Sequence, residues 1–332
     1  MSRAFLQLED LHDFAAAQFG SERRLIRVDR LTGGTKKGVY RLHLDDATTV
    51  ILYVWAPDES YWPTSSVVPD DPFTDASGSE LFAVSHAALT AAGVRVPRLL
   101  TMDCEGRHLG TDIALVEDVG SLRLETVMET DPARAAGLLT DLGATLGRMH
   151  TTTGPRYGKV AEVQHAEERE STSVQRLAED VIVDRALLHL DLTAAREERL
   201  AEAHGQIAAH VRELRAAVRP RQEYGLVHGE LGPDHVFVTP AGEPVLIDFE
   251  GLAWFDVEWD HAWIEMRFGD RYPDLNPVAL DPDRMALYRY AQVLSLIEGP
   301  LRIADTDFPD RDWMLWLAGL NIEKALAAVA PL

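Results

Sequence analysis

The run Leu226-Val227-His228-Gly229-Glu230-Leu231-Gly232-Pro233-Asp234-His235-Val236-Phe237-Val238, followed by Pro244-Val245-Leu246-Ile247-Asp248-Phe249-Glu250-Gly251, decides how this chain is read. Two apolar runs rich in β-branched residues flank a loop of Gly, Pro, Asp and His. A third apolar run ends in Asp248-Phe249-Glu250. The pattern predicts strand, loop, strand, turn, then a strand closed by an acid. That order gathers Glu230, His235 and Asp248 at strand ends, with Asp234 and Glu250 adjacent. Carboxylates clustered with an imidazole point to a metal site, an acid–base site, or both.

A zinc-hydrolase reading of His228-x-Glu230 with His235 has little support. No helical His-Glu-x-x-His motif exists, and Gly229, Gly232 and Pro233 forbid a helix across the loop. The deaminase signature needs paired cysteines, and Cys104 is the only cysteine.

The spacing resembles the catalytic loop and metal-binding acid of the aminoglycoside phosphotransferase and choline kinase-like family, relatives of the protein kinases. That family reads His-Gly-Asp, four residues, Asn, an apolar strand, a turn and Ile-Asp. Here stand His228-Gly229-Glu230, four residues, His235, and later Ile247-Asp248. The resemblance implies an α+β, two-lobed protein-kinase-like fold. It implies a small β-rich lobe over residues 1–118 with a nucleotide loop, and a larger helical lobe over 119–332 with the catalytic loop and acceptor pocket. The implied activity is ATP-dependent phosphorylation of a hydroxyl on a small polar molecule, cationic if it is an aminoglycoside-type antibiotic. The implied cofactors are ATP or another nucleoside triphosphate with Mg²⁺ or Mn²⁺.

Two family positions are exchanged. Glu230 stands where the catalytic Asp is expected, and His235 where the metal-binding Asn is expected. Glu is one methylene longer, which moves its carboxylate by about 1 Å, and misplacement on that scale costs about 100-fold in rate. The loop is therefore either rebuilt around Glu230 or crippled. A crippled site would make the chain a pseudokinase that binds or regulates. His228 is read two ways, as an imidazole holding the loop and as a proton-transfer group. Asp248 ends an apolar strand, where an unpaired carboxylate is costly, so a cation is expected beside it. His235 is a softer ligand than Asn and suits Mn²⁺ or Zn²⁺ better than Mg²⁺. Asp234 or Glu250 could supply the hard oxygen instead.

Towards the N-terminus, Leu25–Leu31 and Val39–Leu44 read as strands around Thr32-Gly33-Gly34-Thr35-Lys36-Lys37-Gly38. Glycines let backbone N–H groups approach phosphates, so Gly33 and Gly34 are candidate nucleotide contacts. The next strand, Thr49–Trp55, has Tyr53 where kinase-like folds carry a basic residue. Lysine occurs only at positions 36, 37, 159 and 324, so Lys36 or Lys37 is the candidate replacement. Glu80 opens a helix at the position of the family's helix Glu. Residues 56–77 read as an irregular insertion, either a lid or a surface loop. The strand over 112–120 resembles the hinge between lobes, where Glu117 and Val119 would meet the base.

The second half turns helical, with apolar stripes over 135–150, 173–192, 193–218, 257–268, 285–298 and 313–329. Asp256, Glu258, Asp260, Glu265 and Asp270 alternate with Trp254, Trp259 and Trp263, a mixture that suits a cationic ligand. The chain has 332 residues and a formal net charge of −22, which disfavours nucleic acid as a partner. No apolar run reaches membrane-spanning length and no signal core opens the sequence, so a cytoplasmic location is expected. Oligomeric state is not legible.

Overall fold

The computed structural model describes residues 3–20, 22–32, 34–63, 68–168 and 176–330. Helix α1 (His12–Phe19) precedes strands β1 (Leu25–Arg30), β2 (Gly38–Leu44) and β3 (Thr49–Val54). Helix α2 (Ser79–Ala91) and strands β4 (Leu99–Asp103) and β5 (Ile113–Glu117) follow. The strands form one antiparallel five-stranded sheet in the order β1-β2-β3-β5-β4. Side chains alternate across it as the period of two requires. Tyr40, Leu42, Leu44, Leu52 and Val54 pack with Leu11 and Phe14 on the outer face. Ile51 and Tyr53 join a second core with Phe82, Leu246 and Phe249, which ties the sheet to the helical lobe.

The helical lobe comprises α3 (Leu124–Thr130), α4 (Pro132–Thr151), β6 (Thr153–Gly154), β7 (Gly158–Lys159), α5 (Val160–Glu168), α6 (Ala178–Ala194) and α7 (Glu198–Ala217). It continues with β8 (Tyr224–Val227), β9 (Val236–Val238), β10 (Pro244–Leu246), β11 (Ala253–Phe255), α8 (Val257–Phe268), α9 (Pro282–Ala304) and α10 (Arg311–Ala327). Local chemistry sets the long helices. Asp131 caps α4 by accepting the Arg134 N–H, Pro132 opens its first turn, and Leu138, Leu142, Leu146 and Met149 bury one face. Asp281 and Pro282 start α9 in the same way.

The helix expected from residue 173 starts at Ala178, and 173–175 lie outside the described residues. Strand β4 starts only at Leu99, because Pro97 has no N–H for a ladder. Strands β6, β7 and β11 carry no sequence pattern. Each has two or three residues, held by partners in the sheet β6-β8-β11-β7.

The insertion over 56–77 is packed where it is described. Phe73 stacks on Trp259 with ring centroids 4.3 Å apart. Arg185 Nη1 donates to Asp71 Oδ2 at 2.5 Å. Trp62 closes on Gly299 of α9. The insertion thus reaches from the sheet to α6, α8 and α9. Among the described residues, no helix is long and apolar enough to cross a membrane.

Candidate active site

Strand β8 delivers His228, Gly229 and Glu230 to the junction of the lobes. The loop they begin is held from below by one buried carboxylate. Asp260 of α8 accepts the His228 N–H at 3.0 Å, the Gly229 N–H at 2.7 Å and His150 Nε2 at 3.1 Å. Burial works against its charge, but these donors outweigh burial and hold Asp260 below the usual carboxylate range. Gly229 has φ +89°, and a Cβ there would lie 3.4 Å from Phe73. Glycine meets both conditions without strain.

His228 is buried and donates from Nε2 to the Ile247 carbonyl at 3.0 Å, pinning the loop to the end of β10. Burial depresses its pKa below the ordinary histidine value. Glu230 is exposed, and no described residue hydrogen-bonds its carboxylate. His235 closes the 3₁₀ turn Pro233–His235 and donates from Nδ1 to the Glu230 carbonyl at 2.9 Å. In the neutral ring this leaves the Nε2 lone pair facing Asp248 Oδ2 at 3.8 Å and Asp234 Oδ2 at 3.7 Å. Asp234 is drawn aside by Arg267 Nη2 at 2.7 Å.

Asp248 has φ +62°, a left-handed conformation that Asp tolerates better than most residues. Lys37 Nζ lies 2.5 Å from Asp248 Oδ1 and 2.6 Å from Glu250 Oε1. The two acids differ in environment, since the Asp248 side chain is 43% exposed and that of Glu250 5%. Lys37 holds Asp248 well below the carboxylate range, while burial pushes Glu250 up. Burial alone would lower the Lys37 pKa, but the two carboxylates raise it.

Strand register explains how Lys37 arrives. Gly38 pairs with Val54 and Val39 with Tyr53. Lys37 and Val39 therefore share the sheet face of Tyr53, and Lys37 Nζ stands 5.3 Å from the Tyr53 ring centroid. The ammonium enters from the start of β2, and Tyr53 forms its wall. Glu80, read from sequence as the helix Glu, is not its partner. Glu80 is exposed and lies 3.3 Å from His165 on α5. Glu250 occupies the partner position instead.

A cavity of about 330 Å³ runs beneath the sheet. Gly34, Lys36 and Lys37 line one part of it, Glu117 and Val119 another, and Leu31, Val39, Ile51 and Phe237 supply apolar walls. Gly33 lies outside the described residues. At Gly34 a Cβ would come 2.9 Å from the Lys37 carbonyl, so the loop is too tight for a side chain there. Glu117 contributes backbone, because Arg95 and Arg98 take its carboxylate outside. Sequence reasoning missed Arg41, which grips Asp118 at 2.6 Å, and Arg123, which lies 5.8 Å over the Phe237 ring.

A second cavity of about 680 Å³ lies between the insertion and helices α6, α8, α9 and α10. The two cavities share Thr35, Lys36, Trp62, Ser77, Glu230 and His235. The acids read from sequence as a ligand surface are largely spent inside. Asp256 pairs with Arg284 and Tyr288, and Glu258 receives Arg221 at 2.7 Å.

A sequence model of the phosphotransferase enzyme family matches residues 71–288, more than half of the chain. The chain belongs to the phosphotransferase enzyme family. No curated protein matches it. Solved phosphotransferase structures share the fold over almost its whole length. Spectinomycin phosphotransferase APH(9)-Ia, in complex with ADP and spectinomycin, superposes with TM-score 0.66 at 12% identity, covering 98% of this chain and 99% of that one. Aminoglycoside phosphotransferase APH(4)-Ia, as a thermostable mutant in ternary complex with ADP and hygromycin B, gives TM-score 0.60 at 14% identity, covering 95% and 98%. A GDP and kanamycin complex of an aminoglycoside phosphotransferase gives 0.59 at 17% identity, covering 96% and 99%. The two-lobed kinase-like fold expected from the sequence is the one found.

Among the described residues, no three of His, Cys, Asp and Glu converge as a metal cage. The donor set still suits one divalent ion completed by phosphate oxygens. Asp248 offers Oδ2, since Lys37 takes only Oδ1, and His235 offers a lone pair fixed by the hydrogen bond from its other nitrogen. Glu250 is turned to Lys37 and Asp234 to Arg267, so both sequence-assigned ligands are engaged elsewhere.

Proposed function

We propose that this chain transfers the terminal phosphoryl group of ATP, or of another nucleoside triphosphate, to a hydroxyl of a small molecule. The observation that carries the reading is the place of Glu230, a carboxylate with no partner among the described residues, in the wall common to both cavities. A base for phosphoryl transfer must stand where acceptor oxygen and terminal phosphate meet. The nucleotide would lie under the sheet, its base against Val119 and its phosphates at Gly34, Lys36 and Lys37. The lobe boundary at 118/119 falls beside that base.

Glu230 orients the acceptor O–H and takes its proton as the new P–O bond forms and the bond to the leaving diphosphate breaks. Lys37, anchored by Glu250, presents its ammonium to the phosphates in place of a β3 lysine. His228 holds the loop and keeps its own proton on Nε2. A divalent cation held by Asp248 and His235 would supply positive charge against the phosphate oxygens. The acceptor expected from the resemblance is a small polar molecule, cationic if it is an aminoglycoside-type antibiotic; the separate cationic-ligand reading of Asp256 and Glu258 loses its support, because both acids are engaged in internal pairs.

The test is nucleotide consumption across an acceptor panel with Mg²⁺ and Mn²⁺. Glu230→Gln keeps shape but removes the charge, so turnover should fall by about 10²–10⁴ with acceptor binding little changed. An unimpaired Glu230→Gln enzyme refutes the base assignment. Nucleotide binding with no turnover of any acceptor supports the pseudokinase alternative.

A further inference from the structure

Glu230 shares the wall of the larger cavity with His189 of α6. His189 ends a chain of polar contacts that phosphoryl transfer at Glu230 leaves unused. Asp71 of the insertion accepts Arg185 Nη1 at 2.5 Å and offsets its charge. Arg185 Nε donates to Ser295 Oγ of α9 at 3.2 Å. Ser295 gives its own proton to the Ala291 carbonyl one turn back, at 3.1 Å. A hydroxyl has one proton and two lone pairs. Arg185 fills one lone pair, so the other accepts from His189 Nδ1 at 3.1 Å.

These contacts fix the tautomer of His189. Burial and the positive charges of Arg185 and Arg302 lower its pKa well below the ordinary histidine value, so the ring is neutral. Its one proton is on Nδ1, which leaves a lone pair on Nε2. The residue is 9% exposed, and Nε2 has no hydrogen-bond partner among the described residues. Nε2 is not sealed in, and the surface that His189 keeps opens to the cavity. Such a nitrogen accepts one hydrogen bond and donates none. An ether or carboxylate oxygen placed there would leave two lone pairs facing each other without water. An O–H or N–H group would satisfy it.

We propose that His189 is a specificity-determining residue of this cavity, its Nε2 accepting a hydrogen bond from a second donor group of the phosphoryl acceptor. The acceptor is then an alcohol that carries a further O–H or N–H besides the hydroxyl turned to Glu230. That the ligand is a phosphoryl acceptor rests on the phosphotransfer reading, whereas the tautomer and its lone pair do not.

The tests separate the two. Nitrogen-15 NMR of the full chain at pH 7, with His189→Phe assigning the signal, should show a neutral ring protonated at Nδ1. A proton on Nε2, or a charged ring, overturns the proposal. Calorimetric titration without nucleotide then uses kanamycin, spectinomycin and hygromycin B, which each carry several hydroxyls. At least one should bind, and His189→Phe should weaken it about tenfold. Ser295→Ala frees the ring and should weaken the same ligand less, with no further loss when added to His189→Phe. The ATP-induced thermal shift of each variant reports that the fold persists. Binding of none of the three, binding indifferent to His189→Phe, or full additivity of the two losses overturns the proposal. ADP release is then measured with the ligand that binds. Binding through His189 without ADP release keeps the hydrogen bond and refutes phosphotransfer to that ligand. Turnover whose acceptor KM is unchanged in His189→Phe keeps phosphotransfer and refutes the role of His189.

Discussion

Replacing Lys37 by Met tests the centre of the site. Its side chain is 9% exposed and that of Glu250 is 5% exposed, so the pair is buried. Removing one partner of a buried pair costs about 3–5 kcal/mol when the other stays charged. Glu250 has an escape, because burial and Asp248 already push its pKa above the ordinary 4.5. Without Lys37 to oppose them, that pKa climbs further. A folded pKa above the unfolded value gives stability that is present below pH 4.5 and lost as pH rises through the folded value. Between the two, stability falls by about 1.4 kcal/mol per pH unit. Lys37→Met should therefore lie closer to wild type at pH 5.5 than at pH 8. Urea unfolding at both values measures the difference. Adding Glu250→Gln should flatten the pH dependence and recover most of the loss, because no buried charge remains. The ATP-induced thermal shift should disappear in Lys37→Met and stay absent in the double variant, since the phosphate-facing ammonium is gone. A loss equal at both pH values, or no recovery with Glu250→Gln, would sink the paired-charge account. An undiminished ATP shift would remove Lys37 from the nucleotide site.

Asp248→Ala should abolish the part of nucleotide stabilisation that depends on divalent metal. Equal ATP shifts for wild type in metal and in chelator would exclude a metal role. Asp260→Asn removes the charge that accepts both loop N–H groups, and charge-assisted hydrogen bonds contribute about 1.5–3 kcal/mol each. Chemical unfolding should show a loss of several kcal/mol, and kcat should fall more than KM changes; stability within error of wild type would refute its role as loop anchor. Glu230→Asp should also be slower than wild type, with its carboxylate about 1 Å short in a loop built for Glu, and a faster enzyme would mark Glu230 as a damaged base.

Alternation of apolar residues determined the strands of the sheet, and helical stripes determined the long helices, because both are set by periods of one element. The spacing from His228 to Asp248 likewise carried the catalytic loop and its acid, since that stretch is continuous in the chain. Pairing across distance was not legible. Lys37 meets an acid 211 residues away, and composition could only say that a lysine must come from position 36 or 37. The register of β2 on β3 chose Lys37, by placing it on the face of Tyr53. Glu250 rather than Glu80 became its partner because α2 turns Glu80 outward to His165. Asp256, Glu258 and Asp260 looked like part of a ligand surface. Tertiary packing buried them against Arg284, Arg221 and the loop amides, since a carboxylate in the interior persists only where donors replace its water. The second cavity was decided in the same way. Its wall comes from the insertion and helices α6, α8, α9 and α10, and only folding brings those segments together.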